Sequence, residues 1–339
     1  MYLPGARAAS CRQGGRQGLL TALVTAVALL PAVAAWPSVA QAARPLAPIT
    51  DARVAESSGL AASRVNDGLF WTHNDSGGAA ELYAFDRQGR VVATLQLLGA
   101  SAVDWEDMAA GPGPAGPSLY VGDIGDNARQ RRDLALFRVP DPRVPRDSPG
   151  SRLSAPAERF AFEYPDGPRD AETLLVHPTT GEVLIVTKEE SGQSSVYRFP
   201  MPLRPGRTVV LERAGTVRFT NPLVLRGLRL GRLATGGDVS PDGSRVFIRT
   251  YAEGYEWRIP EGATVADALR GTPRVIALPF LGQFEAVCYR LDGQAVLTTS
   301  EGSPCLVWEV DVAKAPAPRE TRGLGPSPAT GRPTERRPL

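Results

Sequence analysis

Between Glu56 and Glu301 one pattern of polar and apolar positions recurs five times. An acidic or small polar residue opens a short apolar run, and a Gly-containing turn follows. A second run, rich in β-branched and aromatic residues, then ends in polar side chains. The copies pair 56–61 with 69–75, 104–109 with 119–123, 170–176 with 183–189, 235–239 with 246–250, and 284–289 with 296–301. Runs this short between Gly, Pro and Asp turns predict strands. Third strands are expected at 81–85, 134–139, 195–199, 255–259 and 306–310. Fourth strands are expected at 91–97, 159–164, 209–219 and 274–278. The last unit lacks a fourth strand, and 48–54 is placed to supply it and close a ring. Only 264–270 reads as a helical turn or two.

The openings of the copies lie about 57 residues apart on average, near the spacing of propeller repeats. The pattern therefore predicts an all-β chain folded as a β-propeller of four-stranded antiparallel blades. Five blades is the direct count. Six stays open, because 141–166 and 203–233 have room for further strands. A β-sandwich is the alternative, but it would not repeat an acidic residue at the same point of each unit.

The ends read differently. Residues 1–42 carry Arg7, Arg12 and Arg16, an apolar stretch from Leu19 to Ala35 and the small-x-small site Ala40-Gln41-Ala42. That order predicts a cleaved signal peptide and an exported protein, secreted or periplasmic, with no membrane span after cleavage. Residues 314–339 are rich in Pro and Arg and poor in large apolar side chains, as expected of a disordered tail. The propeller is assigned to 43–313. The net charge of +2, with no basic cluster, argues against a nucleic-acid partner. Two cysteines, Cys288 and Cys305, fall on the first and third strands of one blade. Two strand spacings, roughly 9–10 Å, exceed disulfide reach, so both are expected as buried thiols.

In a blade the first strand lines the channel and pairs antiparallel with the second. The start of the first and the end of the second therefore share one mouth. First strands bring Glu56, Glu106, Glu172 and Glu285, with Thr235 or Asp238 in the fourth copy. Second strands bring Asn74, Asp75, Asp123, Lys188, Arg249, Thr250, Ser300 and Glu301, with His73 next to Asn74, and Asp126 follows in Gly122-Asp123-Ile124-Gly125-Asp126-Asn127. Crowded carboxylates must take up protons or be balanced by cations. Oxygen donors without Cys favour a hard ion, Ca²⁺ ahead of Mg²⁺. The candidate metal ligands are Glu56, Asn74, Asp75, Glu106, Asp123 and Asp126. Glu106, Lys188, Arg249 and His73 are candidate catalytic groups. Glu172, Asp238, Glu285, Ser300 and Glu301 are candidate ligand-binding groups. Lys188 stands out because the only other lysine is Lys314. An acid at a blade start can equally accept hydrogen bonds from the next blade's backbone.

The runs Glu56-Ser57-Ser58-Gly59-Leu60, Asp104-Trp105-Glu106-Asp107, Gly122-Asp123-Ile124-Gly125-Asp126-Asn127 and Val239-Ser240-Pro241-Asp242-Gly243 resemble secreted bacterial propellers of the TolB-like and phytase-like kind. The phytase resemblance implies carboxylate-bound Ca²⁺ at Glu56, Asp75, Glu106, Asp123 and Glu172, with Lys188 and Arg249 on phosphate. Three functions follow as expectations. One is a Ca²⁺-dependent hydrolase of phosphate esters, lactones or other esters. Another is a monomeric propeller that binds a small molecule, a glycan or an envelope protein without turnover. The third is an envelope scaffold whose acidic ring is architectural.

Overall fold

The computed structural model describes residues 43–220, 229–279 and 283–313. The expected signal peptide and tail lie outside the described residues. Among the described residues no helix is long and apolar enough to cross a membrane.

The first strand, β1 (Ala43–Pro45), pairs antiparallel with the last strand of the chain. Blade one is β2 (Ser57–Ala62), β3 (Leu69–Asn74), β4 (Glu81–Asp86) and β5 (Val91–Leu98). Blade two begins with β6 (Trp105–Gly113), β7 (Gly116–Asp123) and β8 (Ala135–Pro140). The chain then returns to blade one as β9 (Ser151–Pro156), parallel to β5, before β10 (Glu158–Glu163) continues blade two. Blade three is β11 (Ala171–Val176), β12 (Val183–Thr187), β13 (Gln193–Arg198) and β15 (Glu212–Arg218). Before β15, the short β14 (Val209–Val210) runs parallel to β10. Blade four is β16 (Ala234–Val239), β17 (Arg245–Thr250), β18 (Glu253–Arg258) and β19 (Arg274–Ala277). Blade five is β20 (Phe284–Tyr289), β21 (Ala295–Ser300) and β22 (Val307–Asp311), completed by β1.

The fold is a five-blade β-propeller. The segments left open for a sixth blade hold β9 and β14, which extend blades one and two at their outer edges. The closing strand is β1 and not 48–54. Within 48–54, Ile49 makes one bridge to Cys305 and otherwise packs between blades five and one. The short helix α1 (Val265–Ala268) matches the expected helical turn, with Thr264 and Asp267 forming a capping box.

Five apolar clusters fill the five gaps between blades. Trp71 and Leu82 meet Trp105 and Met108 between blades one and two. Tyr120 and Phe137's neighbour Leu136 meet Leu174 and Ile185 between two and three. Leu175 and Val186 meet Val246 and Trp257 between three and four. Phe247 meets Val287 and Tyr289 between four and five. Leu60 and Phe70 meet Cys288 and Leu297 at the closure. Cys288 on β20 is free and buried, and so is Cys305, which lies ahead of β22 in an isolated bridge to Ile49 and not on the third strand as expected. In the Ser-Pro-Asp-Gly turn of blade four, Gly243 has φ +73°, a conformation glycine adopts without a Cβ penalty.

Closure also has an ionic part. Glu309 of β22 is 3% exposed and binds Arg44 of β1, Arg87 at 2.7 Å and Arg290 at 3.4 Å. Removing the carboxylate leaves three guanidinium groups facing one another. Glu309→Gln is expected to destabilise by about 1–2 kcal/mol, the arginines being partly solvated. Calorimetry should show a melt lowered by several degrees; an unchanged melt would make the cluster incidental.

Candidate functional site

The geometry of the mouth comes from one irregularity repeated five times. In every blade the register of the first against the second strand slips by one residue. The slips leave Ser58, Glu106, Glu172, Thr235 and Glu285 unpaired in bulges. A bulge re-aims its extra residue, and here it holds one side chain per blade at the channel mouth. The slot in blade one is Ser58; Glu56 lies two residues upstream, at the exposed rim. In blade four it is Thr235. Asp238 instead sits inside the wall, accepting from Val239 N and from Tyr289 N of the next blade.

The residue opposite each pre-bulge position is Asn74, Asp123, Thr187, Thr250 or Ser300. All five use a side-chain oxygen to hold backbone N–H groups. Asn74 accepts from Ala55 and Glu56, Asp123 from Asp104, and Thr187 from Ser195. Thr250 accepts from Ala252 and Glu253, and Ser300 from Leu306. Asp123 is also ion-paired with Arg131 at 2.7 Å, and Asp126 accepts from Gln130 N and Arg131 N. The oxygens of Asn74, Asp123, Asp126 and Ser300, expected at the mouth, are thus engaged in holding loops.

One residue further along, four blades present Asp75, Lys188, Tyr251 and Glu301. These join the bulge carboxylates. Asp75, Asp104 and Glu106, from blades one and two, bring carboxylate oxygens within 4.8 Å of one another. Glu106 is 3% exposed, and no described residue donates a hydrogen bond to its carboxylate. Asp75 Oδ1 and Glu172 Oε2 are buried without a donor. Across the mouth, Lys188 Nζ donates to Glu172 Oε1 and, at 3.3 Å, to the Tyr251 hydroxyl. Tyr251 in turn donates to Glu285 Oε1 at 2.8 Å.

Charge crowding shows in the acidities. Burial, reinforced by Asp104, Glu285 and Glu56, pushes Asp75 up to about 7. Burial and Glu285 push Glu301 up to about 8. Burial also drives Glu106 well upward, with Glu172, Asp75 and Asp104 adding to it. Glu172 rises through burial although Lys188 opposes it. Burial would lower Lys188, but its carboxylate neighbours outweigh that and raise it.

His73 and Arg249 lie one layer below. They occupy equivalent second-strand positions, opposite Gly59 and Gly236. Each packs on the aromatic residue that opens the next blade: His73 edge-on to Trp105 at 5.4 Å, Arg249 over Phe284 at 5.8 Å. Both are fully buried. His73 Nδ1 donates to the Asn74 carbonyl, and burial lowers the ring to about 4, so it is neutral at pH 7. Burial lowers Arg249 to about 9, and its guanidinium binds Thr298 Oγ1 and the Thr250 carbonyl. In this layer Asp107 accepts from Met108, Leu174 and Gly237 N–H groups, tying blades two, three and four together.

Sequence reasoning passed over Asp104 and Tyr251. Asp104 heads the run Asp104-Trp105-Glu106-Asp107. Tyr251 follows Thr250 as Asp75 follows Asn74, Lys188 follows Thr187 and Glu301 follows Ser300.

Gly125 closes one side of the carboxylate group. A Cβ there would fall 2.2 Å from Glu106 Oε1 and 2.5 Å from Asp104 Oδ2. Both are ends of flexible side chains, which can swing aside. If Asp104 and Glu106 hold a cation, Gly125→Ala should keep the fold and weaken its binding about tenfold or more, read as a reduced rise in Tm with added calcium. A rise equal to the parent's would place the ion elsewhere.

No protein-family model matches the sequence, and no curated protein matches it. Among solved structures the chain is similar to one from Xanthomonas campestris described as a gluconolactonase important in glucose secondary metabolic pathways. The two share 14% identity with a TM-score of 0.38, over 72% of this chain and 68% of that one.

Proposed function

We propose that the chain binds a divalent cation at Asp75, Asp104 and Glu106, Ca²⁺ ahead of Mg²⁺, and hydrolyses an ester bond beside it. The observation that carries this is Asp75 Oδ1, buried without a donor beside the carboxylates of Asp104 and the 3%-exposed Glu106. Burying an unpaired ion costs several kcal/mol, and a dication removes that penalty. An all-oxygen donor set suits a hard ion. The ion would supply Lewis-acid polarisation of the scissile group.

The chain's own residues supply proton transfer. Glu285, held by the Tyr251 hydroxyl, accepts a proton from the attacking water as the water oxygen bonds to the electrophilic centre. The ester C–O bond then breaks, and Lys188 gives a proton to the departing oxygen. This keeps the hydrolase reading of the phytase-like resemblance, with different residues from those the resemblance implies: Asp104 joins the ion, while Asp123 and Arg249 do not contact the ligand. Export follows from residues 1–42 and belongs to the same proposal.

The test is a pair of measurements on the purified protein. Melts in EDTA and in excess calcium read the cation. Hydrolysis of carboxylic, lactone and phosphate esters reads the reaction. A rise in Tm of several degrees with calcium, and turnover that Lys188→Ala removes while the rise persists, is the expected result. A calcium-dependent melt with no turnover of any ester would leave a binding propeller. No calcium effect would overturn the site.

A further inference from the structure

We infer that the ligand held beside the cation is uncharged or cationic, carries hydrogen-bond donors, and is not a phosphate or other anion. The inference rests on the cation site proposed above and narrows its substrate class. Four carboxylates beyond the ion's own three face the mouth: Glu56, Glu172, Glu285 and Glu301. Against them stands one ammonium, Lys188, already engaged by Glu172 and Tyr251. Arg249 lies one layer below, and its charge acts on Glu285 from there. It is fully buried, and its described bonds go to Thr298 and to backbone carbonyls. Arg131, whose charge acts on Asp104, is paired with Asp123 and Asp133 and bound to the Gly125 carbonyl.

One dication and one ammonium do not neutralise seven carboxylates, even with two of them protonated. An approaching dianion meets a net negative mouth where, among the described residues, Lys188 is the cation on hand and is already engaged. Hydroxyl and ammonium groups find the reverse. The free Oε2 of Glu172 is an acceptor, and an acceptor without a donor discriminates in favour of a ligand that supplies one.

The experiment uses the calcium-loaded protein and three acetate esters of matched size. Their alcohols carry a trimethylammonium, a tert-butyl or a sulfonate group. The sulfonate ester should have kcat/KM about tenfold or more below the other two, and high salt should narrow the gap. The double variant Glu56→Gln with Glu301→Gln should narrow it as well. In parallel, millimolar inorganic phosphate should leave the Tm of the calcium-loaded protein unchanged. Sulfonate turnover equal to or above the neutral ester's, or a Tm raised by phosphate, overturns the inference. If calcium alone does not move the melt, the cation site falls separately. The phosphate melt without calcium then still decides whether the mouth excludes anions.

Discussion

Glutamine in place of Glu106 is expected to make the cation-free protein more stable and to abolish its response to calcium. Most substitutions of a buried charged residue destabilise, because the charge was paired. Glu106 is buried without a donor, among Asp75, Asp104 and Glu172, and its burial already drives its protonation. Glutamine keeps the shape and removes the charge. Near pH 8 in EDTA the gain should be about 1–2 kcal/mol, or roughly 2–8 °C in Tm for a domain of this size. The parent gains about 2.7 kcal/mol at a hundred times the dissociation constant for calcium, and the variant should gain almost none. Asp107→Asn is the contrast. The Asp107 carboxylate accepts three backbone N–H groups from three blades. An amide cannot serve all three as acceptors, so that variant should melt lower in EDTA and in calcium alike. If Glu106→Gln behaves like Asp107→Asn, the acidic ring is architectural and the cation site is lost.

The blades were legible because their signal is redundant. Each combines a period-two apolar run, a Gly turn and a polar end, and the failure of one cue leaves the others. Closure was legible in kind but not in place: 48–54 is apolar enough to be a strand, yet Ala43–Pro45 pairs with β22. A three-residue strand held by Arg44 on Glu309 carries no apolar pattern to read. The mouth was legible as a region and misread in detail. Aligning the copies on their acids put Glu56 beside the bulge carboxylates and left Thr235 and Asp238 as alternatives in the fourth copy. Bulges are set by register, and register puts Ser58 and Thr235 there. Asn74, Asp123 and Ser300 look like ligands in sequence, since composition cannot tell an oxygen with an N–H partner from one without. His73 and Arg249 were displaced by one layer for the same reason. A strand end has a definite depth only once its partner is known.

The second large effect is in pH. Metal-stripped protein should lose stability as pH rises from about 4 to 8, and calcium should reverse the trend. The sign follows from proton counting. Asp75 lies near 7 and Glu301 near 8 in the folded chain, above their ordinary values of 3.8 and 4.5, and Glu106 and Glu172 are also raised. Below pH 4 folded and unfolded chains are both protonated, and these groups contribute no difference. Between about 4 and 8 the folded chain keeps protons that the unfolded chain has released, so stability falls with rising pH. Above 8 the full penalty is present. Three units on Asp75 alone would be about 4 kcal/mol unscreened. Its partial exposure reduces that to about 1–2 kcal/mol. With its neighbours added, the melt in EDTA should drop by several degrees between pH 5 and 8. Calcium held as proposed would bind the ionised carboxylates, so its rise in Tm should grow over the same window, with protons released on binding near pH 6. Calorimetric titration in two buffers of different ionisation enthalpy reads that release directly. A calcium effect independent of pH, or an EDTA melt that climbs from 5 to 8, would mean that the ion is held by groups other than Asp75, Asp104 and Glu106.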